Sequence, residues 1–357
     1  MDVYDPPMRS PATLHAPRSD HLLSIADLGP AGIAEVIDHA LVLKSGSGGS
    51  LARTQPLAGR QVALLFDKPS LRTRVSFEVG IRRLGGGTTT LSGSDVGLGS
   101  REPLADIART LARYVDAIVV RIHDHAHLEQ LAAASDVPVV NALTNREHPC
   151  QALADLLTLR EHLGGFHGRR LAYVGDGNNV CHSLLLGATA VGLDISVACP
   201  PGYEPDAGIL GEARLLARES GARLQVVHDA AAAVEGADAV YTDVWTSMGA
   251  EHEAEERARA FGAFRVTSSL MRAAPDAIVM HCLPAHRGQE IDADVIDGPA
   301  SVVFDQAENR LHAQQAVLLR LLRGAWRRVG EPVHAGRPAL ARDGAWQARC
   351  WHGRAPP

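Results

Sequence analysis

Short apolar runs alternate with amphipathic stretches along most of this chain, and that alternation limits the fold more than any other feature. Val62 to Phe66 is an apolar run that breaks at Lys68-Pro69, and helical spacing follows at Val75, Phe77, Val79, Ile81 and Leu84. Gly85-Gly86-Gly87 ends that helix, with a short strand expected at Thr88 to Leu91. A helix near 103–114, a strand at Ala117 to Arg121, a helix near 126–134 and a strand at Val137 to Asn141 come next. A long helix over 149–163, apolar at Leu153, Leu156, Leu157 and Leu159, ends at Gly164-Gly165. The pattern then restarts, with strands at 170–175, 194–199, 223–228, 238–242 and 277–281 and helices at 180–191, 207–219, 229–235 and 267–273. Strands joined through helices pair in parallel. The expected fold is therefore α/β: two doubly wound parallel-sheet domains joined by the 149–163 helix.

The remaining segments fit around that frame. Leu22 to Leu43 has helical spacing interrupted by a Gly-Pro turn, and Glu308 to Leu322 is a last helix expected to pack back on the first domain. The expected boundaries are a disordered arm at 1–20, a first domain at 21–155, a second at 156–307, the returning helix at 308–325 and a loose tail at 326–357. No internal repeat of fixed period is visible.

Composition narrows the function class. The chain has 357 residues and a net charge of −6, with 35 basic against 41 acidic side chains and no long basic stripe, which argues against nucleic acid as a partner. The 5 cysteines are odd in number and scattered, which fits a reducing compartment better than a disulfide framework. No run approaches the roughly 18 apolar residues of a membrane span, and the proline-rich first twenty residues lack the apolar core of a secretory signal. A cytoplasmic protein is expected.

The chemistry-bearing residues gather where strands end and helices begin. Ser70 stands at a helix start followed by Arg72, Thr73 and Arg74, and can cap that helix. Unpaired first-turn amides, the helix dipole and the arginines together suit a phosphate. Arg121 closes a strand, where open parallel sheets place their ligand crevice. His148-Pro149-Cys150-Gln151 opens the linking helix, and Gly175-Asp176-Gly177-Asn178-Asn179, Asp243-Val244-Trp245-Thr246-Ser247-Met248-Gly249 and His281-Cys282-Leu283-Pro284 each follow a strand. Any one of these is unremarkable in a loop; their shared position at strand ends points to one cleft.

The segments SLRTR (70–74), HPCQALAD (148–155), GDGNN (175–179), DVWTSMG (243–249), HCLPAHRGQE (281–290) and FDQAENRLHAQQAVL (304–318) resemble the ornithine carbamoyltransferases over about Leu22 to Leu322. The resemblance implies that Ser70, Leu71 (through its backbone), Arg72, Thr73 and Arg121 cradle the phosphate of carbamoyl phosphate. It implies that His148, Gln151, Arg310 and the backbone at Cys282 and Leu283 hold the carbamoyl group. Asn179, Asp243, Ser247 and the Met248 backbone would recognise L-ornithine, with Asn178 the alternative to Asn179 because the register within that pair is open. Arg121, His148 and Cys282 are the catalytic candidates, and Cys282 with Asp243 would help the amine lose its proton. No metal or other cofactor is expected. A homotrimer or an assembly of trimers is implied. Two departures stand out: Leu71 replaces a common Thr, and Gly97 lies where relatives carry a polar residue that reaches a neighbouring subunit, a contact that Ser94 or Arg101 could replace.

Other readings fit less well. Gly175-x-Gly177 lacks the third glycine of a dinucleotide fingerprint, and the next strand ends in Cys199-Pro200-Pro201 instead of an acid. Neither His123, His125 and His127 nor His281, Cys282 and His286 has the spacing of a closed zinc site. Putrescine and N-acetylornithine are the alternative acceptors, and a non-catalytic relative that only binds carbamoyl phosphate is the alternative from another class.

Overall fold

The computed structural model describes residues 20–46, 54–97, 101–246 and 251–322. Residues 1–19 of the expected 1–20 arm, 323–325 of the expected returning helix, the tail at 326–357, Ser247 and Met248 lie outside these residues.

Among the described residues, nine strands form two sheets, all pairs parallel. The first contains β1 (Gln61–Phe66), β2 (Gly87–Ser92), β3 (Ala117–Arg121) and β4 (Val139–Leu143) in the order β2-β1-β3-β4. The second contains β5 (Arg170–Val174), β6 (Asp194–Ala198), β7 (Leu224–Val227), β8 (Ala239–Thr242) and β9 (Ile278–His281) in the order β7-β6-β5-β8-β9. In each sheet the chain winds outward one way and then the other, so strand order reverses between β1 and β3 and between β5 and β8. Such reversals leave a crevice at the carboxyl ends of the strands, because the flanking helices depart to opposite faces.

The helices used below are α1 (Gly29–Lys44), α2 (Leu71–Arg83), α3 (Leu104–Leu111), α4 (His125–Ala134), α5 (Pro149–Leu163), α6 (Asn179–Ala190), α7 (Ala207–Ser220), α8 (Ala254–Ala260) and α9 (Val303–Leu321). Helix α5 joins the sheets and is buried along almost its whole length from Pro149 to Thr158 and Leu159. Gly164, in the left-handed region at φ 78°, stops it and lets the chain turn into β5. Helix α9 packs against α5, α1 and α2, so the end of the fold returns to the first sheet. Its inner face supplies Ala313, Ala316, Val317 and Leu318 to the core that also holds Leu64 of β1, Phe77 of α2 and Leu156 of α5.

Several boundaries differ from expectation for identifiable reasons. Strand β4 begins at Val139, two residues late, because Pro138 has no amide to donate; its carbonyl instead accepts from Ile118 N. Gly29-Pro30 does not interrupt a helix but starts α1, after a 3-10 turn at Ile25–Leu28 that Ser24 and Asp27 close with a capping box. Helix α9 starts at Val303, five residues before the expected Glu308, leaving Phe304 exposed. Helix α8 was not anticipated, since its sequence AEERARA has no apolar period and buries none of its residues. A short helical turn at Gly93–Val96, for which no element was expected, follows β2, and Gly97 takes φ +63° after it.

The docking of α9 gives a direct test. Leu318 is almost fully buried, so Leu318→Ala should cost about 2–5 kcal/mol of stability, read as a lower urea midpoint with unchanged slope.

Candidate active site

The loops at the carboxyl ends of both sheets face one another across a cleft of ≈ 660 Å³. Ser70, Leu71, Arg72 and Thr73 line it from the start of α2, Arg121 from the end of β3, and His148 and Gln151 from the start of α5. From the second sheet come Asn178, Asn179, Asp243, Cys282 and Leu283, and Arg310 reaches in from α9. Every described residue that the resemblance assigns to the site therefore lines the same cleft. Arg74, expected beside Arg72 in the anion pocket, does not line it and pairs with Glu78 Oε1 (2.9 Å) instead. Ser247 and Met248 lie outside those residues.

The first-sheet side is strongly electropositive. Arg310 is buried, and its guanidinium donates to neutral oxygens, Gln151 Oε1 (2.6 Å) and Thr73 Oγ1 (2.9 Å). Burial and the neighbouring Arg310 and Arg72 push Arg121 down to about 10. The same causes, burial first and then Arg310, Arg121 and Arg72, hold His148 well below the ordinary imidazole range, so its ring is neutral at pH 7. Arg121 Nε, Arg310 Nε and His148 Nδ1 are buried without a protein partner. Like charges gathered this closely, with unused donors, are arranged for an anion with several acceptor oxygens.

Ser70 departs from expectation. It occupies the N-cap position of α2 with extended backbone (φ −153°), but its side chain makes no capping hydrogen bond. The first turn of α2 thus keeps amides that the capping hydroxyl does not take, beside Ser70 at the cleft lining.

On the opposite wall the groups are already organised. Asp243 accepts from Asn178 Nδ2 at Oδ2 (2.9 Å), and from Cys282 Sγ (3.0 Å) and Val244 N (2.8 Å) at Oδ1. A carboxylate has about four acceptor positions, so one further donor can be taken. Asn178 is engaged at both ends of its amide, since Oδ1 caps α6 through Val180 N and Cys181 N. Asn179 commits only Nδ2, to the Thr144 carbonyl (2.6 Å). This favours Asn179 over its neighbour for contact with a ligand.

The 281–284 turn narrows one expectation and revises another. Leu283 N donates to His281 Nδ1 (2.8 Å), so the backbone contact expected at Leu283 falls to its carbonyl. Burial and Asp243 push the Cys282 thiol well above its ordinary range. A neutral thiol that donates to Asp243 orients that carboxylate and is no base for an amine.

Asp243, His281 and Cys282 place potential ligand atoms within 4.8 Å of one another, yet the donor set does not suit a metal. His281 spends Nδ1 on Leu283 N and Nε2 on Glu290 Oε1 (3.2 Å), and Cys282 Sγ donates to Asp243 Oδ1 (3.0 Å).

Residues 20–161 match the family model described as aspartate/ornithine carbamoyltransferase, carbamoyl-P binding domain. Residues 167–321 match the one described as aspartate/ornithine carbamoyltransferase, Asp/Orn binding domain. The chain belongs to the aspartate/ornithine carbamoyltransferase family. It is 56% identical over 299 residues to the ornithine carbamoyltransferase of Methanothermobacter thermautotrophicus, covering 84% of this chain and 97% of that protein. It is 52% identical over 307 residues to that of Acidothermus cellulolyticus, covering 85% and 97%. The structure of ornithine carbamoyltransferase from Pyrococcus furiosus superposes with a TM-score of 0.82 at 47% identity, covering 86% of this chain and 98% of that one.

Within this carbamoyltransferase fold, a second layer of residues supports the lining, and the motif reading passed over it. Asp155 Oδ1 accepts from Gln151 Nε2 (2.7 Å) and Gln306 Nε2 (2.7 Å), while Oδ2 accepts from Tyr241 OH (3.1 Å). Those bonds fix both amides: Gln151 turns its oxygen to Arg310, and Gln306 turns its oxygen to His281 N (2.9 Å). The signal was available as spacing, since Asp155 lies four residues after Gln151 and Gln306 four before Arg310, on shared helix faces. Arg257 of α8 was also missed; it donates to Asp176 Oδ2 (2.9 Å) and the Trp245 carbonyl (3.0 Å).

The Cys282 environment gives a chemical test. The raised pKa should make Cys282 alkylate more slowly with iodoacetamide than a free thiol (pKa about 8.5) at about pH 8. Asp243→Asn removes a charge that opposes the thiolate and should speed the reaction; peptide mapping by mass spectrometry measures both rates.

Proposed function

We propose that the chain transfers the carbamoyl group of carbamoyl phosphate to the side-chain amine of L-ornithine, giving L-citrulline and phosphate. The observation that carries this reading is the pairing, across one cleft, of a buried cluster of cations around neutral His148 with an anchored carboxylate, Asp243. The family match agrees with it, as do the names of the relatives. The reaction needs no cofactor. Residues 21–155 form the carbamoyl phosphate domain, 156–307 the ornithine domain, and the helix that follows completes the first.

Ser70, the backbone of Leu71, Arg72, Thr73 and Arg121 take the phosphate. Planar guanidinium forks match phosphate oxygens, and charge-assisted bonds contribute roughly 1.5–3 kcal/mol each. Because phosphate gains charge as it leaves, those contacts strengthen toward the transition state. His148, with Gln151 and Arg310, addresses the carbamoyl oxygen. A neutral imidazole donates a hydrogen bond without surrendering a proton, and one such donor to a tetrahedral oxyanion is worth about 3–4 kcal/mol.

The acceptor amine must be neutral to attack. Ammonium groups of this kind titrate near pH 10, so reaching the neutral form at pH 7 costs about 4–5 kcal/mol. Asp243, steadied by Cys282 and Asn178, receives the amino end of ornithine together with Asn179, Ser247 and the Met248 backbone. Holding amine and carbonyl carbon in contact supplies the remainder through proximity. The attack proceeds directly, without a covalent enzyme intermediate.

The protein works in arginine metabolism, in the cytoplasm, as a homotrimer or an assembly of trimers. Among the described residues no helix is long and apolar enough to cross a membrane.

Purified protein with carbamoyl phosphate should form citrulline rapidly from L-ornithine and far more slowly from putrescine, N-acetylornithine or aspartate. Faster turnover of putrescine would overturn the choice of acceptor. Carbamoyl phosphate raising the melting temperature with no product from any acceptor would instead favour a binding-only relative. His148→Gln should lower kcat by about 10²–10³-fold with smaller changes in KM, since the contact matters most in the transition state.

A further inference from the structure

The turn over 144–148, which delivers His148 to the cleft, is clamped to helix α6 by four hydrogen bonds. Asn179 Nδ2 donates to the Thr144 carbonyl (2.6 Å), and His182 Nδ1 donates to the Arg146 carbonyl (2.8 Å). Ser183 Oγ donates to Glu147 Oε2 (3.0 Å) and accepts from His148 N (3.0 Å). Ser183 is fully buried and Glu147 is 2% exposed. One hydroxyl thus joins a buried carboxylate to the main chain of the residue proposed to polarise the carbamoyl group.

The other partners of Glu147 are donors too. Ile25 N donates to Oε2 (3.2 Å), and the Ser24 hydroxyl, whose oxygen already accepts from Ala26 N (3.1 Å), bonds to the same carboxylate. Three donors from two separate elements define a pocket for a carboxylate oxygen, though burial pushes the group up to about 7. With Glu147 in place, Ser183 has its proton committed and its lone pair aimed at His148 N. Without it the hydroxyl can rotate, and the amide loses a fixed acceptor.

We infer that Glu147 is a positioning residue for the carbamoyl transfer: through Ser183 it fixes the main chain from which His148 reaches the carbamoyl oxygen. The inference rests on the reading of His148 given under the proposed function. Glu147 touches no reacting atom; it acts on the angle at which His148 leaves the turn, and a displacement of about 1 Å at such a group can cost two orders of magnitude in rate.

Glu147→Leu removes the acceptor at similar volume, Glu147→Gln keeps one oxygen for Ser183, and Ser183→Ala removes the relay. Glu147→Leu and Ser183→Ala should each lower kcat by about 10–100-fold, with the KM for ornithine changed far less. Glu147→Gln should recover much of the loss. The double variant Glu147→Leu/Ser183→Ala should be no slower than the slower single variant, because both changes break one chain of bonds. Unchanged kcat with only a lower melting temperature, or losses that multiply in the double variant, would overturn the inference. Citrulline formation by the unmodified protein under the same conditions separates this result from a failure of the carbamoyl transfer reading itself, and Ser183→Ala alone suffices if Glu147→Leu does not fold.

Discussion

Buried positive charge is the constraint around which this structure is organised. Arg310 is buried beside half-buried Arg121 and Arg72 around the neutral ring of His148, and burial lowers the pKa of Arg310, Arg121 and His148. Such a cluster opposes folding, because desolvated charges of one sign repel. The fold tolerates it by holding Arg310 with neutral oxygens and placing Asp155 behind Gln151, one hydrogen bond away. A carboxylate in direct contact would neutralise the cluster and compete with an anionic ligand. Set one residue back, Asp155, whose carboxyl burial pushes up to about 7, offsets part of the charge in its ionised form while leaving the guanidinium groups available.

The same Asp155 joins the two halves of the molecule. Its three donors come from α5, α9 and β8, and through Gln306 it also steadies the amide of His281 at the end of β9. The first-sheet side and the second-sheet side of the cleft therefore share one buried hydrogen-bond network. In low dielectric such networks are costly to break, and they specify one arrangement of their members. Parallel topology makes the sharing possible, since both sheets present their strand ends, and hence their polar loops, to the same space.

Much of this was legible in the sequence because it is encoded by local pattern. Apolar runs such as Val62 to Phe66 become buried strands whatever their neighbours, and polar residues that follow such runs fall at the strand ends. Ser70, Arg121, His148, Asn179, Asp243 and Cys282 could be placed at one cleft for that reason, whereas Arg310, inside a helix, and the role of each residue came from the resemblance to ornithine carbamoyltransferases. What escaped depends on contacts distant in sequence. Glu147 looks like an ordinary turn residue until Ile25 and Ser183 are seen to close over it. The Leu283 amide looks available until His281 is found to occupy it. Helix α8 escaped for the opposite reason: it has no fully buried residue, and it is placed by Arg257, tied to Asp176 and Trp245, and by the packing of half-buried Ala260 on the core.

Helix α9 packs on elements encoded far upstream of it, and its Arg310 enters a pocket otherwise built from α2, β3 and α5. Protein synthesis is vectorial, and domains form as their residues emerge from the ribosome. The first sheet can assemble early, but its cationic pocket lacks a wall until α9 has been made. The chain therefore acquires its full positive cluster, and the repulsion that comes with it, only after the second sheet exists to support Gln306 and His281. The repulsion among these buried cations is thereby deferred until α9 docks.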